Sequence, residues 1–318
     1  MIGIYAHHHG SGHIQRCREI RRALGRPHKA VILSTHPDAD VVLPDDAGAT
    51  DTELTAGGTL HFAPTTHAGY GARMQAVAQW VGEHDPAVFY VDVSVEVAVL
   101  VRLLGVPVVT IAMPGVREDA PHSLGYDQAS AIIAAWPEWV DVPPHLHDHA
   151  AKVHAVGGIT RLTPGPAAPR QPRTVTVMAG TGGSTWNRGT WEAVEQACPD
   201  WDFTILDEHT RIEDDTELTT LLQRSAVVVA AAGQNSVADI AACEAPAIIL
   251  PQPRPFGEQE ATADVLRERG LALVSDTFPA PERWPALLTE AAATETRWGE
   301  WQTAGAAQRA AAVLEGFV

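Results

Sequence analysis

The sequence predicts an α/β protein made of two doubly wound, Rossmann-like parallel sheets. Three observations carry this. Short runs such as 226–232 (AVVVAAA) are apolar without interruption, which suits strands buried on both faces of a parallel sheet rather than strands with one wet face. Runs of this kind alternate with stretches of helical spacing along the whole chain, the pattern of repeated strand–helix–strand units. The alternation stops once, at ITRLTPGPAAPRQPR after Gly158, and then restarts. The expected organisation is a first domain over 1–158, a joint over 159–173 and a second domain over 174–318, and 318 residues are enough for two cores.

Each element follows from the local pattern. Residues 1–6 form a first strand, and HHHGSGH leads from it into a helix over 14–24 that carries Arg16, Arg18, Arg21 and Arg22. A second strand spans 30–35, followed by a polar stretch to Gly58 and a short strand over Thr59–Phe62. Met74, Val77, Ala78 and Val81 give helical spacing to 71–83, and 87–93 is a strand with Asp92 at its end. A helix over 95–104 and a strand over 106–112 complete a further unit, with apolar runs at 129–135 and 153–156 beyond it. After the joint come a strand at 174–179, the loop GTGGST, a helix at 189–198, a strand at 203–206 and a helix at 217–224. The strand 226–232 is broken by Gly233, and Asn235 or Ser236 is placed to cap the next helix, which Pro246 ends. A strand at 247–250 runs into the rigid turn PQPRPFGEQ, and 281–318 read as helical.

Composition narrows the function. The formal charge is -17, from 22 Lys and Arg against 39 Asp and Glu, which argues against nucleic acid and a strongly anionic membrane surface as partners. Cys17, Cys198 and Cys243 are odd in number and far apart, so no disulfide framework is expected and a reducing cytoplasm fits. Val93–Met113, the longest apolar stretch, is interrupted by Glu96, Arg102, Gly105 and Pro107, so no transmembrane segment is expected, and MIGIYAHHHG does not read as a signal peptide. Fifteen histidines raise the question of a metal, above all His7–His9 and His145, His147 and His149 on a segment expected to be extended. Without HExxH or paired cysteines, no metal and no cofactor are expected.

The chemistry concentrates in glycine-rich loops that follow strands. In Gly10-Ser11-Gly12-His13 the glycines let backbone approach a ligand while His13 stands at a helix N-terminus, which disfavours imidazolium and keeps the ring able to take a proton. Asp92, at the carboxyl end of a central strand, is placed to orient it. Gly182, Gly183 and Ser184, and the turn Gly233, Gln234, Asn235 and Ser236, offer N–H groups to phosphate. Asp239 lies near the start of the following helix, where a carboxylate can accept a ribose diol, and Glu258 and Gln259 suit sugar hydroxyls.

In these residues and their spacing, 226–274 resembles the C-terminal half of GT-B glycosyltransferases of the MurG type, members of family 28. Two departures stand out: Asp239 where that group usually has Glu, and Glu258 before Gln259 where MurG has Gln. The resemblance implies the GT-B fold, two Rossmann-like domains across a cleft, with the last helix packing back on the N-terminal domain. It implies a nucleotide diphosphate sugar, UDP-linked by expectation, held by the second domain, with Arg211 and Ile212 in the base pocket. Gly12 is also counted among the donor contacts. The first domain would bind a small-molecule or lipid-linked acceptor in a pocket shaped by 41–70, and His13 would act as base in a single inverting, metal-independent displacement. GSGHIQRC also resembles the opening of PseG-like nucleotide-sugar hydrolases, which leaves hydrolysis as an alternative, and a non-catalytic nucleotide-sugar sensor as another.

Overall fold

A computed structural model describes all residues except 8–11, 49–52, 167, 180–185, 187, 208, 209, 211 and 213. The chain divides into two compact units, Met1–Val156 with Ala307–Val318, and Gly157–Ala306.

The first unit is a parallel sheet of seven strands among the described residues, in the order β3-β2-β1-β4-β5-β6-β7. The strands are β1 (Ile2–Ala6), β2 (Ala30–Ser34), β3 (Val41–Val42), β4 (Val88–Asp92), β5 (Val108–Ala112), β6 (Ala131–Ala134) and β7 (Val153–Ala155). Helices α1 (Gly12–Ala23), α2 (Ala68–His84), α3 (Val95–Leu103) and α4 (Ala120–Gln128) connect them. Every residue of β1, β4 and β5 is buried, as the unbroken apolar runs require. One core gathers Tyr5, Leu33, Val77, Trp80, Phe89 and Val101. Packing there is close enough that a Cβ on Gly3 would fall 2.3 Å from the Phe89 ring, so this position of β1 accepts only glycine. Capping sets the helix starts. Ser94 accepts from the Val97 N–H and Asp119 from the His122 N–H.

The second unit holds β8 (Gln171–Met178), β9 (Asp202–Leu206), β10 (Ser225–Ala230), β11 (Ala247–Ile249) and β12 (Leu273–Val274) in the order β12-β11-β10-β8-β9, again parallel. Its helices are α5 (Arg188–Ala197), α6 (Asp215–Arg224), α7 (Gln234–Ala242), α8 (Glu258–Arg269) and α9 (Trp284–Ala293). Trp191 and Trp284 meet edge to face at 5.4 Å beside Val177, Val229 and Leu288. The proline-rich stretch is tied into this unit: Ile159 and Leu162 are buried, and Arg170 donates to the carbonyls of Leu222, Gln223, Ser225, Cys243 and Glu244. The final helix α10 (Ala306–Glu315) has Arg309 donating to the Val156 carbonyl at 2.9 Å and Glu315 accepting from the Gly25 N–H.

Local structure departs from the sequence expectation in several places, the short strands β3 and β12 among them. Thr59–Phe62 form no strand, because their N–H groups are taken elsewhere: Thr59 and Leu60 donate within a turn to the Ala56 and Thr55 carbonyls, and His61 and Phe62 donate to Glu96. Helix α4 stands where no helix was expected, its period masked by Pro121 and Gly125. The segment with His145, His147 and His149 is a 3-10 helix over Pro144–Lys152 rather than extended chain. Finally, 281–318 is a series of short helices broken at 294–297 and 302–305.

Candidate active site

In the first sheet the strand order reverses between β1 and β4, the place where open parallel sheets leave a crevice beyond their carboxyl ends. Register puts Ala6 beside Asp92, so the loop after β1 and the last residue of β4 adjoin that point. Gly12 opens α1 and His13 stands in its first turn, whereas Gly10 and Ser11 lie outside the described residues. His13 Nδ1 is 2.7 Å from Asp92 Oδ1. Asp92 is fully buried and accepts two further bonds of 2.8 Å from Arg16 Nε and Nη2, with the Tyr90 hydroxyl at 3.1 Å. A carboxylate oxygen can only accept, which assigns the Nδ1 proton to the bond with Asp92 and leaves Nε2 as the basic nitrogen. Burial opposes the charge on Asp92, but the Arg16 guanidinium and then His13 outweigh it and hold the carboxyl well below the usual range.

Arg16 is the member of this set that sequence reasoning missed as a site residue. Its signal was present, since His13 and Arg16 are three apart and share a helix face. Val93, directly after Asp92, holds φ 59°, an unusual conformation for a β-branched residue.

Val93 also lines a cavity of about 170 Å³ at the carboxyl ends of β4 and β5, with Phe62, Val95, Ile111, Met113 and Tyr126 among its walls. His7 lines it too and meets the His13 ring edge to face at 5.7 Å, so the cavity adjoins the dyad. Its polar members bond to protein. Glu96 accepts from the His61 and Phe62 N–H groups and from the Ser94 hydroxyl, which straps residues 61 and 62 to the start of α3. His122 Nδ1 is 2.7 Å from Asp119 Oδ1, and its Nε2 accepts from Arg117 Nη1 at 3.0 Å. Burial and the Arg117 charge push His122 down to about 4, so it is neutral at pH 7.

His61, Asp119 and His122 bring ligand-type atoms within 4.8 Å of one another, a cluster no motif announced because its members are 58 and 3 residues apart. The Arg117 cation on His122 Nε2 opposes a metal there. The histidines first considered for a metal are dispersed: His147 bonds the Val142 carbonyl, His149 lies 3.4 Å from Asp127, and His145 stacks on Tyr126; His8 and His9 lie outside the described residues.

In the second sheet the order reverses between β8 and β10. Gly233 caps α7, and Gln234, Asn235 and Ser236 form its half-buried first turn beyond the end of β10. The corresponding phosphate-loop residues expected after β8, Gly182, Gly183 and Ser184, lie outside the described residues, as does Arg211; Ile212 is half-buried just before α6. Asp239 is buried on α7 and accepts from the Thr160 hydroxyl at 2.5 Å. Glu258 opens α8, and Gln259, buried, accepts from the Gln252 N–H at 2.9 Å. Among the described residues no helix is long and apolar enough to cross a membrane.

Two parallel sheets with these switch points define the GT-B class of glycosyltransferase fold, and comparison with solved structures agrees. The chain is similar to the glycotransferase of kitacinnamycin (17% identity, TM-score 0.71, 100% of this chain and 98% of the other). It is similar to MurG of Acinetobacter baumannii (16%, 0.66, 99% of each chain). It is also similar to Os79 of O. sativa, solved with UDP (11%, 0.64, 100% of each chain). Curated protein sequences contain no match. The Glycosyltransferase family 28 C-terminal domain matches residues 189–313. Fold and domain together support an enzyme of glycosyltransferase type, similar to MurG.

Proposed function

We propose that this protein transfers a sugar from a nucleotide diphosphate donor, UDP-linked, to a hydroxyl or amine of an acceptor, with inversion and without a metal. The observation that carries the reading is the His13–Asp92–Arg16 set, a buried carboxylate that orients one imidazole at the switch point of the first sheet. The first unit holds the acceptor and the second the donor.

In the reaction, the acceptor O–H or N–H gives its proton to His13 Nε2. The freed lone pair forms a bond to the anomeric carbon, and the carbon–oxygen bond to the diphosphate breaks, its electron pair leaving with the nucleotide diphosphate. The growing charge on that leaving group is met by the α7 N-terminus, through the N–H groups of Gly233–Ser236. Asp239 takes the ribose, and Glu258 with Gln259 the donor sugar. The family 28 domain over 189–313 supports the donor assignment, and the UDP bound to the O. sativa protein supports the choice of nucleotide.

Metal independence rests on residue use. Asp38 and Asp40, an Asp-x-Asp pair of the kind that can hold a metal on a diphosphate, are engaged in ion pairs, Asp38 with Arg18 at 3.1 Å and Asp40 with Arg21, while Asp40 also accepts from the Ile32 N–H. Buried free thiols at Cys17, Cys198 and Cys243 support a cytoplasmic location.

His13→Ala tests the assignment. Turnover should fall by about 10²- to 10⁴-fold, mostly in kcat, while donor affinity stays near wild type because the expected nucleotide contacts other than the Gly12 backbone, which the substitution keeps, lie in the other unit. A variant with normal kcat, or one unable to bind UDP-sugar, would remove His13 from the role of base.

A further inference from the structure

We infer that the cavity beside the dyad takes a single uncharged ring of the acceptor, aromatic or alicyclic, and rejects anionic groups. The inference rests on the reading of the first unit as acceptor-binding and gives that acceptor a chemistry.

Size comes first. An apolar cavity of about 150 Å³ holds one benzene, whereas sites for whole drug-sized ligands run from roughly 300 Å³ upward. At about 170 Å³ this cavity fits one ring, and the rest of a larger acceptor must lie outside it.

Polarity comes second. Phe62, Val93, Val95, Ile111, Met113 and Tyr126 supply the apolar walls, and polar groups that also line the cavity are bonded to protein. Both Glu96 oxygens serve the 61–62 backbone and Ser94. His122 is held between Asp119 and Arg117. The Thr110 hydroxyl donates to the Val91 carbonyl. A carboxylate or phosphate entering here would have to break one of these bonds or stay unpaired, and either is costly in an apolar site. An acceptor bearing a diphosphate would therefore have to keep that group out of the cavity.

Reach comes third. His7 lies both on the cavity wall and against His13, so a hydroxyl or amine on the open edge of the ring lies toward the base.

The test is titration calorimetry of the whole chain with phenol, cyclohexanol, benzoate and phenyl phosphate, with UDP titrated in parallel. Phenol and cyclohexanol should bind and compete with each other, and the two anions should bind roughly tenfold or more weakly. Ala98→Leu, which puts a larger side chain into the cavity wall, should abolish phenol binding and leave UDP affinity unchanged. Phe62→Ala, on a loop that tolerates change better than α3, should weaken phenol more than cyclohexanol. Benzoate binding as tightly as phenol, or phenol binding that neither variant alters, would overturn the inference. Failure to bind UDP would instead strike the donor assignment, and it is read in a separate titration.

Discussion

Replacing Arg16 by Met should expose how much the fold depends on keeping Asp92 ionised. Asp92 has no exposed surface and Arg16 is 3% exposed, with two bonds of 2.8 Å between them. Methionine fills a similar volume but leaves a buried carboxylate whose bonding partners among the described residues are His13, Tyr90 and Cys17. Breaking a buried pair on one side costs about 3–5 kcal/mol. For a unit of this size that corresponds to a fall in Tm of roughly 6–20 °C at pH 7.

The pH dependence gives the sharper test. In the wild type the Asp92 carboxyl sits below its ordinary value, so its stabilisation is present above about pH 3.9 and is lost as pH falls further toward the folded value. In the variant, burial is no longer outweighed, the carboxyl rises above its ordinary value, and its ionisation costs stability at pH 7. Acidification toward pH 4 relieves that cost. The wild-type-to-variant gap in Tm, followed by circular dichroism at pH 7, 5.5 and 4, should therefore narrow steadily. Adding Asp92→Leu should recover most of the loss, because neither charge then remains buried. A gap that is small at pH 7, or constant with pH, would show that the pair does not hold Asp92 ionised.

Three further outcomes are expected. Asp239→Ala and Thr160→Val should both lower stability by about 1–3 kcal/mol through their shared hydrogen bond, but only Asp239→Ala should weaken UDP binding in calorimetry; equal loss from both would make Asp239 a structural residue. Gln259→Ala leaves the buried Gln252 N–H without its acceptor, so it should cost about 1–3 kcal/mol in denaturant melts while Glu258→Ala stays within about 0.5 kcal/mol, and both should reduce affinity for UDP-sugar more than for UDP. Because His122 is held neutral with its value near about 4, the fold excludes a proton that the unfolded chain accepts, so stability falls as pH drops from about 6.5 toward 4; His122→Gln should flatten that part of the stability curve, and an unchanged curve would count against the buried neutral ring.

The fold was legible because its cues are local and repeated. Runs such as VFYVD and SAVVVA are buried at every residue, and a parallel sheet covered on both faces demands that composition. Short, edge and capped elements were harder. Two-residue β3 carries too little pattern to register, and α4 contains a proline and a glycine that hide its period, although the Asp119 cap is a fair start signal. Thr59–Phe62 misled because composition alone cannot tell a strand from a turn whose last N–H groups are claimed by a distant carboxylate, here Glu96.

The two halves of the candidate site differ in legibility for a physical reason. On the donor side we propose, the contacts at 233–239 follow from one strand–turn–helix stretch, because a helix N-terminus and the carboxylate five residues into that helix are set by consecutive backbone geometry, and Glu258 and Gln259 open the next helix. The proposed acceptor side is assembled from separated pieces of chain: His7 and His13 after β1, residues 61 and 62 on a loop, 92–96 at a strand–helix turn, and 110–126 beyond. Nothing in the spacing of His61, Asp119 and His122 announces that they meet, since long-range packing alone brings them together. The same arrangement bears on how specificity can change. Residues 61 and 62 are tied to α3 through backbone N–H groups, so Glu96 holds the strap whatever side chains stand there. Substitution at Phe62 can thus reshape the ring pocket while the strap and the His13–Asp92–Arg16 set keep their bonds.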